Sequence, residues 1–194
     1  MLRRLKPLAD YNITGALVSL MNTIMKPGPA AEFGGRHIIL SSNPMLIEGF
    51  SLNKKITFDM TVHAALDPVI DRKALAAWVD IPALNPGENF IPQSKHTYYS
   101  FVATLGIFPD LYGSKDGYEP ASCYEYLASD VVSPWYETKE GNGPITLELG
   151  APFQPPDNAF TLVLGIGLQY GAPKPNGEIK RIKDTGCAKI LRAG

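Results

Sequence analysis

Residues 159–171 are the longest strongly apolar run in the chain. Phe160, Leu162, Leu164, Ile166, Leu168 and Tyr170 recur at period two, the repeat of a β-strand whose successive side chains point to opposite faces. Val163 adds to the second face, and Gly165 and Gly167 leave it almost bare. A strand of this kind needs both faces covered, which places it inside a sheet. Glycine within it marks a bulge, a bend or a close approach of another segment.

The same alternation recurs in shorter stretches. Ile56, Phe58, Met60 and Val62 predict a half-buried antiparallel strand. After a turn at Asp71-Arg72-Lys73, Leu75, Ala77, Val79 and Ile81 share one face, while Trp78 and Asp80 take the other. Residues 97–108 read as a long strand rich in β formers, and 145–149, 178–182 and 188–191 as short ones. Short strands are also expected at 37–40 and 45–52, and weak ones at 122–127 and 129–135. Residues 109–120 and 152–158 read as loops. One helix stands out, residues 10–26, with Ile13, Leu17, Leu20, Met21 and Ile24 in a single apolar stripe. Asp10 or Asn12 can cap its start, and Pro27-Gly28 ends it.

Turns between short strands, with no alternating helices, predict a mainly β chain: an antiparallel β-sandwich of immunoglobulin-like type with one N-terminal amphipathic helix. Residues 26–35 have the composition of a linker, so the expected division is 1–35, helix and linker, and 36–194, sandwich. A chain of 194 residues suits one such domain, large enough to bury a core without staples.

A net charge of −1 without basic or acidic blocks gives no polyanion-binding signature, so no nucleic-acid partner is expected. No window carries the ~18 apolar residues of a membrane span, and Asp10, Asn12 and Asn22 interrupt what begins like the charged start of an export signal. Cys123 and Cys187 are too few for a disulfide framework; they are either free thiols or one bridge.

Candidate chemistry is sparse. His37, His63 and His96 lack partners at metal-ligand spacing, and no metal or cofactor is expected. Ser114, in Gly113-Ser114-Lys115-Asp116-Gly117, misses the nucleophile-elbow spacing and reads as a loop serine. Asp110, Asp116 and Glu119 do not keep the spacing of a calcium loop. Asn12-Ile13-Thr14 matches a glycosylation sequon, but its place at a helix start favours a cap. The aromatics Trp78, Trp135, Tyr98 and Tyr136 are candidate ligand-binding residues, or they complete the outer face of the sandwich.

Three stretches resemble an uncharacterised family of β-rich proteins from Bacteroidetes. They are Leu46-Ile47-Glu48-Gly49-Phe50-Ser51-Leu52-Asn53 with the 56–62 strand, Ile70-Asp71-Arg72 through Val79-Asp80-Ile81-Pro82 to Asn89-Phe90-Ile91-Pro92, and Leu162-Val163-Leu164-Gly165-Ile166. The resemblance implies a β-rich fold, and members with a further segment ahead of this N-terminus; it brings no activity and no functional residue. The expected function is a non-enzymatic structural or protein-interaction module, associating with other chains or with itself through the stripe from Ile13 to Ile24. The alternative is a carbohydrate-binding module using the four aromatics.

Overall fold

The computed structural model describes residues 2–27, 36–92, 95–114, 117–125 and 128–194. Most of the expected linker (28–35), Asp116, and residues 126–127 of the expected weak strand lie outside them. In chain order come α1 (Leu2–Leu5), α2 (Thr14–Ile24), β1 (Met25–Pro27), β2 (Arg36–Ile38), α3 (Phe58–Thr61), β3 (Asp67–Asp71) and β4 (Ala76–Ile81). Then follow β5 (Tyr98–Pro109), β6 (Leu111–Ser114), β7 (Gly117–Glu119), β8 (Ala128–Val132), β9 (Tyr136–Glu137), β10 (Ile145–Gly150), β11 (Phe160–Pro173), β12 (Ile179–Arg181) and β13 (Cys187–Ala193). The protein is mainly β, its sheets are antiparallel, and one sheet curls into a half-barrel.

The glycine-bearing strand is β11, and it is central. It pairs with β5 from Phe160↔Pro109 to Gly171↔Tyr98, and with β13 and β12 on its other edge. β8 and β9 pair with the far edge of β5. The period-two positions of β11 and β5, Phe101 and Leu105 among them, face a second sheet of order β10-β4-β3. Ala77, Val79, Ile81, Leu147 and Leu149 of that sheet close the same core. Two clasps join the sheets. Ser129 donates its hydroxyl to the Gly150 carbonyl (2.5 Å), and the Arg72 guanidinium donates to the carbonyls of Phe160 (2.7 Å) and Asn158 (2.8 Å).

The bare face of β11 is where the N-terminal segment lands. Leu5 and Leu8 are buried there together with Val102 and Ala188. A Cβ on Gly165 would lie 2.6 Å from Leu5 Cδ1, and one on Gly167 would lie 2.5 Å from Leu8 Cδ1. The glycines thus make room for a second layer, and each buried leucine contributes about 1.5–3 kcal/mol. Asn53, itself buried, rivets this layer: its amide donates to the Leu8 carbonyl (2.8 Å) and its Oδ1 accepts from Ala188 N (2.8 Å).

Several expectations are corrected. Residues 56–62 form no strand but the single turn α3, because Thr57 Oγ1 accepts from Met60 N (3.3 Å) and caps it, while Phe58 and Thr61 turn inward. Residues 45–52 hold a 3₁₀ turn, Pro44–Ile47, opened by its proline. The loop expected at 109–120 contains β6 and β7, which extend a small sheet of order β1-β2-β6-β7. The helix is shorter than 10–26: Asp10 is taken up by the backbone N–H groups of Lys54 and Lys55 (2.8 Å each), and Asn12 Oδ1 accepts from Thr14 N instead (3.1 Å). Upstream of it, α1 and a 3₁₀ turn at Lys6–Leu8 were not expected.

Candidate functional site

The candidate site is the outer face of β3, β4 and β10. Alternation along β4 sends Ala77, Val79 and Ile81 into the core and leaves Trp78 half-buried and Asp80 exposed outside. β10 repeats the pattern, with Leu147 and Leu149 inside and Thr146 and Glu148 outside. Register sets the neighbours. Trp78 stands between Val69 and Glu148, and Asp80 between Asp67 and Thr146. The β3–β4 turn is held by Asp71 Oδ1, which accepts from Lys73 N and Ala74 N (2.9 Å each).

An open groove of about 810 Å³ runs over this face, lined by Trp78, Asp80, Thr146, Glu148 and Gly150. A second of about 410 Å³ adjoins it at Asp67, Asp80, Pro82 and Pro144. The Thr146 hydroxyl donates to the Asp80 carboxylate, which fixes that carboxylate beside the groove. The three strands carry the acids Asp67, Asp71, Asp80 and Glu148, and no lysine, arginine, histidine or cysteine. Asp67 and Asp80 sit directly opposite one another, a like-charge pairing that weakens a sheet. An indole beside carboxylates has the chemistry to hold cationic groups, through cation–π contact and charge-assisted hydrogen bonds.

The other aromatics expected at a binding face lie elsewhere. The Trp135 ring covers Gly171, whose Cβ would be 2.8 Å from it. Tyr98, at the start of β5, pairs with Gly171 in register, near the same end of the large sheet. Tyr136, half-buried, packs on Tyr99 against the main core (ring centroids 5.7 Å apart). The helix stripe is spread over two clusters of its own chain: Ile13 and Leu17 pack in the one holding Leu5 and Leu8, and Leu20, Met21 and Ile24 in the one holding Val163 and Ile190.

No family model, curated protein or solved structure matches the chain.

Asp110, the three histidines and Ser114 have structural partners. Asp110 is buried and accepts from Ser41 N (2.9 Å) and from the Ser41 hydroxyl. His37 Nδ1 accepts from Gly113 N (3.2 Å), His63 Nε2 lies 3.2 Å from the Met60 carbonyl, and His96 packs against the Tyr170 ring (5.4 Å). Ser114 donates to the Gly117 carbonyl (3.3 Å). Among the described residues no three of His, Cys, Asp and Glu gather closely enough to hold a metal ion, and no helix is long and apolar enough to cross a membrane. Both cysteines are free, Cys123 exposed and Cys187 buried.

A smaller cleft of about 190 Å³, between the N-terminal segment and the β12–β13 connection, is lined in part by Asp10, Lys55, Thr61, Asp184 and Cys187. Burial pushes the Cys187 thiol up to about 12, so it stays protonated and is a poor nucleophile. Sequence reasoning found Trp78 and Asp80 on one outward face but missed Glu148 and Thr146. The alternation of residues 145–149 was visible, but nothing local said that this strand pairs with β4.

Proposed function

We propose that the chain is a non-enzymatic protein-interaction module whose recognition surface is the outer face of β3, β4 and β10, and that its partner presents a basic protein surface. One observation carries this reading: an open groove beside Trp78, walled by Asp80 and Glu148, on strands without a single basic residue. The carbohydrate alternative rests on Trp78 alone, since Trp135, Tyr98 and Tyr136 lie off this face. We propose likewise an immunoglobulin-like class for the fold, supported by two antiparallel sheets facing one another across one core. Membership of the β-rich Bacteroidetes family is supported by the three stretches that carry the likeness.

The test is calorimetric titration with a lysine- and arginine-rich peptide and, separately, with neutral oligosaccharides. The peptide binds the wild-type chain, and Trp78→Ala, which leaves the net charge unchanged, weakens binding about tenfold or more, as expected for an aromatic anchor. Glu148→Gln weakens it as well. Peptide binding that is indifferent to Trp78→Ala reduces the effect to the general field of the protein and overturns the reading. Oligosaccharide binding lost in Trp78→Ala transfers the site to the carbohydrate alternative.

A further inference from the structure

The acidic face has a counterpart on the opposite side of the molecule. The inner face of the three-stranded sheet covers one side of the β5–β11 sheet, and the N-terminal segment covers the other. The outward surface of that segment is basic. Arg3, Arg4 and Lys6 are exposed along it, and Lys54 and Lys55 are exposed beside Asp10. Arg181, opposite Gly171 in register, reaches the Pro7 carbonyl (3.0 Å). Two of the acids near this surface are already occupied. Asp10 takes the backbone N–H groups of Lys54 and Lys55, and Asp130 takes Arg4 (3.3 Å). Burial lowers the Arg181 pKa, the nearby charge of Arg4 lowers it further, and Asp184 opposes them.

The strands of the Trp78 face therefore carry carboxylates alone, and on the opposite side Arg3, Arg4, Lys6, Lys54, Lys55 and Arg181 outnumber Asp10, Asp130 and Asp184. Neither arrangement helps the monomer: like charges across a strand pair destabilise it, and like charges gathered on one surface repel one another. Both costs fall when the two faces meet.

Resting on the reading of the Trp78 face given above, we propose that its basic partner is a second copy of this chain: Trp78, Asp80 and Glu148 of one copy receive the Arg3–Lys6 segment of the next. Because the two faces are on opposite sides, the contact is heterologous and does not close by a two-fold axis; copies add head to tail. The sheet face is small, three strands wide. With strands about 4.8 Å apart and residues about 3.3 Å apart, it covers a few hundred Å². That is less than a standard stable interface presents per partner, so each contact is weak and sensitive to salt.

Sedimentation velocity on the full chain tests this, at about 20 mM and about 0.5 M salt, across the Debye range from long to short. The weight-average mass of the wild-type chain rises with concentration at low salt and returns to the monomer at high salt. Asp80→Lys with Glu148→Lys makes both faces basic; Arg3→Glu with Lys6→Glu makes the opposite face acidic. Each double variant alone stays monomeric, with circular dichroism confirming the fold, and an equimolar mixture of the two associates again. Two results overturn the proposal: a wild-type chain monomeric at every concentration, or variants that associate as the wild type does. If that monomer still binds the basic peptide through Trp78, only the self-assembly fails and the recognition face stands; if it binds neither, both readings fall.

Discussion

Asp10 shows how one residue can take a part other than the one its position suggests. It precedes the helix and has the chemistry of a cap, yet its carboxylate holds Lys54 and Lys55 across the N-terminal seam. Burial alone would raise its pKa. Hydrogen bonds from the backbone N–H groups of Lys54, Lys55 and Ile56, with the charge of Lys55, outweigh burial and bring it below the ordinary value of 3.8. A depressed folded-state pKa means the contribution to stability is complete above the unfolded value and is lost as pH falls through the folded one. Thermal melts from about pH 7 to about pH 2 check this. The wild-type chain loses stability below the ordinary carboxylate range, whereas Asp10→Asn starts lower at neutral pH and loses less on acidification. Equal acid slopes in the two proteins contradict the assignment.

Among the elements, strands were legible wherever alternation coincided with length. β5, β4, β10 and β11 lie close to where period two put them, and β4 presents Trp78 and Asp80 outward as expected. Residues 56–62 alternate just as cleanly and are no shorter than β4 or β10, yet form a helical turn, because the Thr57 cap opens it and Phe58 and Thr61, three apart, turn inward. β6 and β7 were illegible for the opposite reason. Their polar, glycine-containing residues have no strand pattern of their own and are drawn into extension by pairing, β6 with β2 and β7 with β6. The bare face of β11 was visible as a gap, but its filler was not, since nothing in Leu5 and Leu8 names Gly165 and Gly167 as their seat. That docking yields a prediction. Leu5→Ala empties a fully buried site and costs about 2–5 kcal/mol, read from denaturant unfolding. Gly167→Val drives a side chain into Leu8 and loosens the segment, so limited proteolysis cuts near residues 6–10 before the sheets. Protease resistance unchanged in Gly167→Val would deny the segment its seat.

At the scale of the whole molecule, Cys187 reports on the closure of the main core and Cys123 does not. The first is buried, with its thiol held protonated; the second is exposed. Labelling with a thiol reagent near neutral pH modifies Cys123 at once. Cys187 reacts only at the rate of opening, and its rate rises steeply as denaturant approaches the midpoint. Rapid labelling of both in the native protein would show that the core opens locally at the β12–β13 connection. The charge segregation behind the candidate site is also a whole-molecule property, which is why it was not legible in the sequence. Arg3, Arg4 and Lys6 are neighbours in the chain, but only the pairing of β4 with β10 gathers Asp80 and Glu148, and only the folding back of residues 3–11 sets the two groups on opposite sides.

The seat of Leu5 against Gly165 and beside Ala188 also sets a timetable. A ribosome adding about 5–20 residues per second makes residue 188 roughly 10–40 s after residue 5. Until β11 is made the apolar side of the N-terminal segment lacks Gly165 and Gly167, and until β13 is made it lacks Ala188; the long β5 strand likewise waits for its main partner, β11. The main core can close only after β11 and β13 have been made. A circular permutant that joins the leading segment behind β13 would shorten that wait and fold faster, with the native contacts unchanged.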